Sequence, residues 1–148
     1  MNQTTLPAVQ LRRRFDAPPA RVYDAFANIN ALAELILPEN GALVETAADV
    51  RAGGAYKVVL RMPDGDLWTL HGVYRDVAPP SRLAFTWGWI EDDPKDEQET
   101  LLTLEFEQDG GGTELILRHE LFVREQSRAS HEGGWAQCLD KLALKLAR

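Results

Sequence analysis

Residues 53–89, GGAYKVVLRMPDGDLWTLHGVYRDVAPPSRLAFTWGW, write an antiparallel sheet almost strand by strand. Apolar runs at 56–62, 67–77 and 82–89 are separated by Pro63-Asp64-Gly65 and by Pro79-Pro80-Ser81. These are turn residues, because proline presets the φ a turn needs and glycine tolerates positive φ. Side chains alternate between the two faces of a strand, so Leu83, Phe85, Trp87 and Trp89 share one face. That face is too aromatic to stand in water and requires a cover.

The cover lies at the C-terminal end. Residues 100–108 and 113–122 read as two further strands joined at Asp109-Gly110-Gly111-Gly112. This glycine run makes a hairpin and not a phosphate cradle, because no Lys-Ser/Thr follows and no helix begins there. From 127 to 148 the period changes. Trp135, Cys138, Leu139, Leu142 and Leu146 fall on one face of a long helix, with Asp140, Lys141, Lys145 and Arg148 opposite. His131, before Gly133-Gly134, is placed near the start of this helix in a structural role, with the glycines allowing close approach to the sheet.

Toward the N-terminus, 8–15 reads as a first strand ended by Asp16-Ala17-Pro18-Pro19. A helix follows, with Asp16 placed to accept from its free amides, the prolines in its first turn, and Val22, Phe26 and Ile29 as its apolar stripe. A short second helix over 30–37 packs Leu32, Leu35 and Ile36 and stops at Pro38. Residues 43–48 return to period two, and Gly53-Gly54 marks a tight turn or bulge. The expected fold is therefore α+β. A curved antiparallel sheet of about seven strands wraps on a long C-terminal helix, and two short helices stand between its first two strands, so that each apolar face gains an apolar partner.

A chain of 148 residues suits a single domain spanning 1–148, with a substantial core. The apolar share of 45% and charged share of 26% are those of a globular protein and exclude a disordered or fibrous chain. Net charge is −7, but residues 91–99 (EDDPKDEQE) hold six acids and one lysine, leaving only −2 elsewhere. Acidity is thus local, and 91–99 is expected to be a solvated loop. With no broad basic surface, nucleic acid is excluded as a partner, since phosphate binding needs an electrostatic footprint. The single cysteine excludes an internal disulfide and a structural zinc cluster, and its position on the apolar helix face predicts a buried, inert thiol. No membrane span or leader is legible, and the expected location is cytoplasmic.

The pieces Arg14-Phe15-Asp16-Ala17-Pro18, Val22, Ala25-Phe26, Gly53-Gly54, Pro63-Asp64-Gly65, Gly72-Val73-Tyr74 and Pro79-Pro80 occur in a characteristic order. They continue through Arg82 to Trp87 (RLAFTW), Thr103 to Phe106, Gly112-Thr113-Glu114-Leu115, His119 and His131 to Trp135 (HEGGW), with Leu139 and Leu142. Over residues 14–146 the chain resembles the activator of Hsp90 ATPase C-terminal domain family, within the START/Bet v 1-like superfamily. The resemblance implies the helix-grip fold and a cavity between sheet and helix. It also implies that contact with Hsp90 itself is not expected, since that co-chaperone needs a preceding domain for which this chain has no room. One departure stands out. Where the family often has Trp before the proline closing the second helix, this chain has Ile36-Leu37-Pro38, which implies a differently shaped cavity mouth.

Candidates for the cavity lining are Trp87, Trp89, Phe85, His71, Arg75, Phe106, His119, Trp135 and Leu139. Parity places Trp68 and Tyr74 on the face opposite His71, so both sets face inward only if a bulge lies near Gly72. His119 shares parity with Leu115, Leu117 and Leu121 and is the natural acid or base if the cavity does chemistry. His71 has a similar claim. Arg61 and Arg75 are expected at the surface, because an unpaired buried charge is costly. No metal site follows, as His71, His119 and His131 lack ligand spacing, and no cofactor is implied. Three functions are consistent with these residues. The first is a binding domain enclosing a small apolar or aromatic ligand. The second is a cyclase- or hydrolase-like enzyme using a cavity histidine, and the third is a protein-interaction module, either co-chaperone-like or a homodimer through the exposed sheet.

Overall fold

The computed structural model describes residues 6–90 and 99–147. Its elements are β1 (Val9–Phe15), α1 (Pro19–Ala27), α2 (Ile29–Ile36), β2 (Ala42–Ala48), β3 (Ala55–Arg61), β4 (Leu67–Ala78), β5 (Arg82–Trp89), β6 (Thr100–Asp109), β7 (Gly112–Glu120) and α3 (Glu125–Leu146). The strands form one antiparallel sheet in the order β1-β7-β6-β5-β4-β3-β2. β1 and β2 are its two edges, and α1 and α2 carry the chain between them. The long α3 closes the concave side. This is the α+β helix-grip architecture, with α3 held at β1 by an ion pair from Arg13 to Asp140.

Alternation along the strands sets the core. Tyr56, Val58 and Leu60 of β3 and Leu83, Phe85 and Trp87 of β5 are buried on the inner face. On the outer face of β5, Ala84, Thr86 and Gly88 are buried too. Tyr23 of α1 meets Phe106 edge-on at 5.2 Å, and Phe26 lies 6.0 Å from the same ring. These contacts fill the interior under α1.

The helix starts differ from expectation. α1 begins behind Pro18 with no side-chain cap, and Asp16 pairs with Arg14 instead. Proline in the first turn removes an amide that would have lacked a partner, which lessens the need for a cap. Asn28 caps α2 by accepting from the amides of Asn30 and Ala31 at 3.0 and 3.2 Å. Ile29 therefore belongs to α2 and not to the stripe of α1.

The sheet changes character at Gly72. The β4–β5 register pairs Leu70, His71 and Tyr74 with Trp89, Gly88 and Phe85, but no pair forms at Gly72 or Val73. Instead the Tyr56 hydroxyl donates to Thr86 O at 2.6 Å, and the Val73 amide donates to Thr86 Oγ1 at 2.8 Å. A Cβ on Gly72 would stand 2.1 Å from Thr86 O and 2.6 Å from Tyr56 Cε1. The register shift comes later, between Tyr74 and Asp76. Hence Trp68, Leu70, Gly72 and Tyr74 share the inner parity, while His71 and Val73 take the outer one.

Candidate functional site

Toward the other end of the sheet the interior is not filled. A cleft of about 930 Å³ opens between the end of α2, the neighbouring ends of β3, β4 and β5, and α3 from Ser127 to Lys141. Its walls are Leu35, Ile36, Leu37 and Pro38 from α2 and its exit, Leu60 and Met62 from β3 and its end, and Trp87, Trp89 and Ile90 from β5. α3 contributes Ser127, Ser130, His131, Gly134, Trp135, Gln137, Cys138 and Lys141. Asp66, Leu67 and Trp68 complete it at the β3–β4 hairpin, together with Glu39.

The chain has four tryptophans, and Trp68, Trp87, Trp89 and Trp135 all border this cleft. Trp87 and Trp135 are almost fully covered, whereas Trp68 is 47% exposed. Trp68 and Trp89 meet edge-to-face at 5.7 Å, and Trp87 lies 6.1 Å from Trp89 and 5.0 Å from Trp135. Leu67 and Ile90 are 57% and 54% exposed, so the lip is apolar as well.

Two histidines hold the tryptophans of this wall, His131 from within the lining and His119 from behind it. The indole N–H groups of Trp87 and Trp89 both donate to His131 Nε2, each at 3.2 Å. An indole N–H can only donate, so Nε2 is the acceptor and the proton sits on Nδ1, which donates to Ser127 O at 2.8 Å. The Trp135 indole donates to His119 Nδ1 at 3.0 Å. His119 Nε2–H therefore donates to Thr100 Oγ1 at 2.6 Å, and that hydroxyl in turn donates a hydrogen bond to Trp87 O at 2.8 Å. Burial lowers the pKa of His119 from an ordinary 6.5 to about 2, with nearby His131 pushing the same way. Burial also lowers His131, opposed by its bond to Ser127. Both rings are neutral.

The α2 wall is fastened by α3. Cys138 Sγ donates to Leu35 O at 3.2 Å, and burial raises its thiol to about 11. Lys141 Nζ donates to Glu34 O at 2.6 Å and to Leu37 O at 3.2 Å, and Lys145 pairs with Glu34 at 3.0 Å. These donors meet carbonyls that a helix C-terminus leaves without intrahelical partners.

Of the nine residues selected from sequence, Trp87, Trp89 and Trp135 border the cleft. Six do not. Phe85 is fully buried among Tyr56, Tyr74 and Trp87, and Leu139 is also covered. Phe106 packs under α1, remote from the opening. His119 is fully buried one layer behind Trp135 with both ring nitrogens engaged. His71 is corrected by parity, whereas Arg75 takes the surface position expected of its charge and does not line the cleft. His71 lies on the outer face between Lys57 and Gly88, and Arg75, at the register shift, is exposed 3.9 Å from Glu99. Apart from Glu99, the acidic segment 91–99 lies outside the described residues.

Sequence reading missed His131 and Trp68 as lining residues. His131 stands four positions before Trp135 and seven before Cys138, so helical spacing alone puts it on their face. Trp68 has the inward parity of Leu70 and Tyr74, and it is opened to solvent only because it lies at the start of β4. The glycines of α3 are also corrected. A Cβ on Gly133 or Gly134 would meet nothing within 4 Å, so they permit no close approach to the sheet. Gly134 instead widens the cleft. Among the described residues, no group of three or more His, Cys, Asp or Glu is placed to hold a metal, and no described helix is long and apolar enough to cross a membrane.

Comparison with known proteins adds a family to this geometry. The family model described as activator of Hsp90 ATPase homolog 1-like protein matches residues 16–147. Among solved structures, protein CV1439 from Chromobacterium violaceum is 28% identical, with a TM-score of 0.84 over 95% of this chain and 97% of that one. The AHSA1 protein from Silicibacter pomeroyi is also 28% identical, with a TM-score of 0.80 and the same coverage. CalU16 from Micromonospora echinospora is 26% identical, with a TM-score of 0.70 over 94% of this chain and 75% of that one. No curated protein matches.

Proposed function

We propose, for a chain that belongs to the activator of Hsp90 ATPase homolog 1-like family, that the cleft binds a small molecule with a flat apolar or aromatic body. The observation that carries this reading is the convergence of all four tryptophans on one opening of about 930 Å³. That volume lies within the roughly 300–1,000 Å³ of small-molecule sites. Three of the indoles turn their N–H groups to His119 or His131, and the indole surface open to a guest is that of the partly covered Trp89 and of Trp68 at the lip. Burying such surface releases water from both partners, and edge or face contact between rings adds directionality.

The enzyme reading loses its stated candidates in this geometry. His119 has no nitrogen available to a guest, and His71 is on the other side of the sheet.

Isothermal titration with naphthalene-methanol, a neutral aromatic probe, tests the proposal. Saturable one-to-one binding is expected, and Gly134→Leu should weaken it at least about tenfold by filling the space beside Trp135. The helix tolerates this change, because nothing stands within 4 Å of a Cβ there. Absence of saturation for this probe, or equal affinity in the Gly134→Leu protein, would overturn it.

A further inference from the structure

The described charges on the cleft wall are two carboxylates against one ammonium, and we infer that the preferred occupant is an organic cation, an ammonium group carried on a planar apolar body. This inference rests on the ligand-binding reading of the same cleft. Among the described lining residues the charged side chains are Glu39, Asp66 and Lys141. Lys141 is committed, since its ammonium donates to the carbonyls of Glu34 and Leu37 at the end of α2. His131 supplies no positive charge, because its Nε2 accepts from two indoles and its Nδ1–H donates to Ser127 O. Lys141 keeps its charge but spends two of its three N–H groups on those carbonyls, so among the described lining residues negative charge exceeds positive by one. Two carboxylates are left to receive an ammonium, and among the described residues neither Glu39 nor Asp66 forms an ion pair within 4 Å.

The aromatic lining favours the same charge. The face of an indole carries the negative part of its quadrupole, and tryptophan is the strongest of the aromatic partners for a cation. Trp68 and Trp89 meet edge-to-face at 5.7 Å, and Trp68 is 47% exposed, so an indole face is available at the mouth. A guest whose flat part enters toward Trp87 and Trp135 would keep its ammonium end near the lip, where the carboxylates are. An anionic guest would meet the same carboxylates and the same π faces unfavourably.

Three probes sharing one ring system separate charge from shape: naphthalene-methylammonium, neutral naphthalene-methanol and naphthoate. Titrated calorimetrically into the full chain at low ionic strength and pH 7, the ammonium should bind about tenfold tighter than naphthoate, with the alcohol between them. The double variant Glu39→Gln, Asp66→Asn, checked for an unchanged melting temperature, should bring ammonium and naphthoate to within about threefold and leave the alcohol unaffected. If naphthoate binds as tightly as the ammonium, or the double variant keeps the full gap, the charge preference is overturned while the aromatic-binding reading stands. If none of the three probes binds, both fail.

Discussion

Each nitrogen of His119 and His131 has a single compatible role, and the partners dictate it. Three indole donors require acceptors, so both rings must stay neutral; a proton added to either would place N–H against N–H. The consequence for stability has a definite sign. The folded pKa of His119 lies below its unfolded value, so on acidification the unfolded chain takes up a proton that the folded chain refuses. Stability is complete above about pH 6.5 and falls steadily as the pH drops from there toward about 2. Between pH 7 and pH 5 the loss from His119 should be about 2 kcal/mol, and His131, lowered in the same direction, adds to it. Urea unfolding at the two pH values measures this. His119→Gln should show a loss smaller by about 2 kcal/mol whatever its stability at pH 7, and an unchanged loss would refute the assignment.

Among the elements, α2 leans on a neighbour at its C-terminal end. Its eight residues are too short to be stable alone, and its C-terminal carbonyls are met by Cys138 and Lys141, one turn apart on α3. Lys141→Met keeps most of the aliphatic length and removes the donor. It should lower stability by roughly 1–2 kcal/mol and increase amide exchange in α2 ahead of the strands, measured by chemical denaturation and hydrogen exchange. The legibility of these elements in sequence follows from how local their causes are. Period-two alternation in β3 and β5, and the spacing of Trp135, Cys138, Leu139 and Leu142 in α3, are written within single segments and were readable. The clasp between Lys141 and Glu34 O joins residues more than a hundred positions apart, and nothing in either segment announces it. Asp16 had the chemistry of a helix cap, yet Arg14 beside it in space offered a charged partner.

For the molecule as a whole, the division between filled core and open cleft was the part that sequence could not supply. Phe85, Phe106 and Leu139 look as much like lining as Trp87 does, because all are apolar and inward, and only packing across elements decides which touches the void. The close packing of β4 against β5 depends on Gly72, where Tyr56 reaches over the strand to Thr86. Gly72→Ala would drive a methyl into Thr86 O and the Tyr56 ring, and it should destabilise the protein by roughly 2–3 kcal/mol in thermal or urea unfolding. Near-wild-type stability in that variant would show that β4 and β5 can separate there at little cost.

The clustering of all four tryptophans also makes the protein its own optical reporter. Since no indole lies elsewhere in the chain, emission excited on the red edge of indole absorption comes from the cleft alone. The half-exposed Trp68 supplies the long-wavelength component and the buried Trp87 and Trp135 the short-wavelength one. A guest that dries the mouth shifts the spectrum to the blue, whereas events on the outer face of the sheet leave it unmoved, so the colour of the emission separates occupancy of the cleft from contact anywhere else.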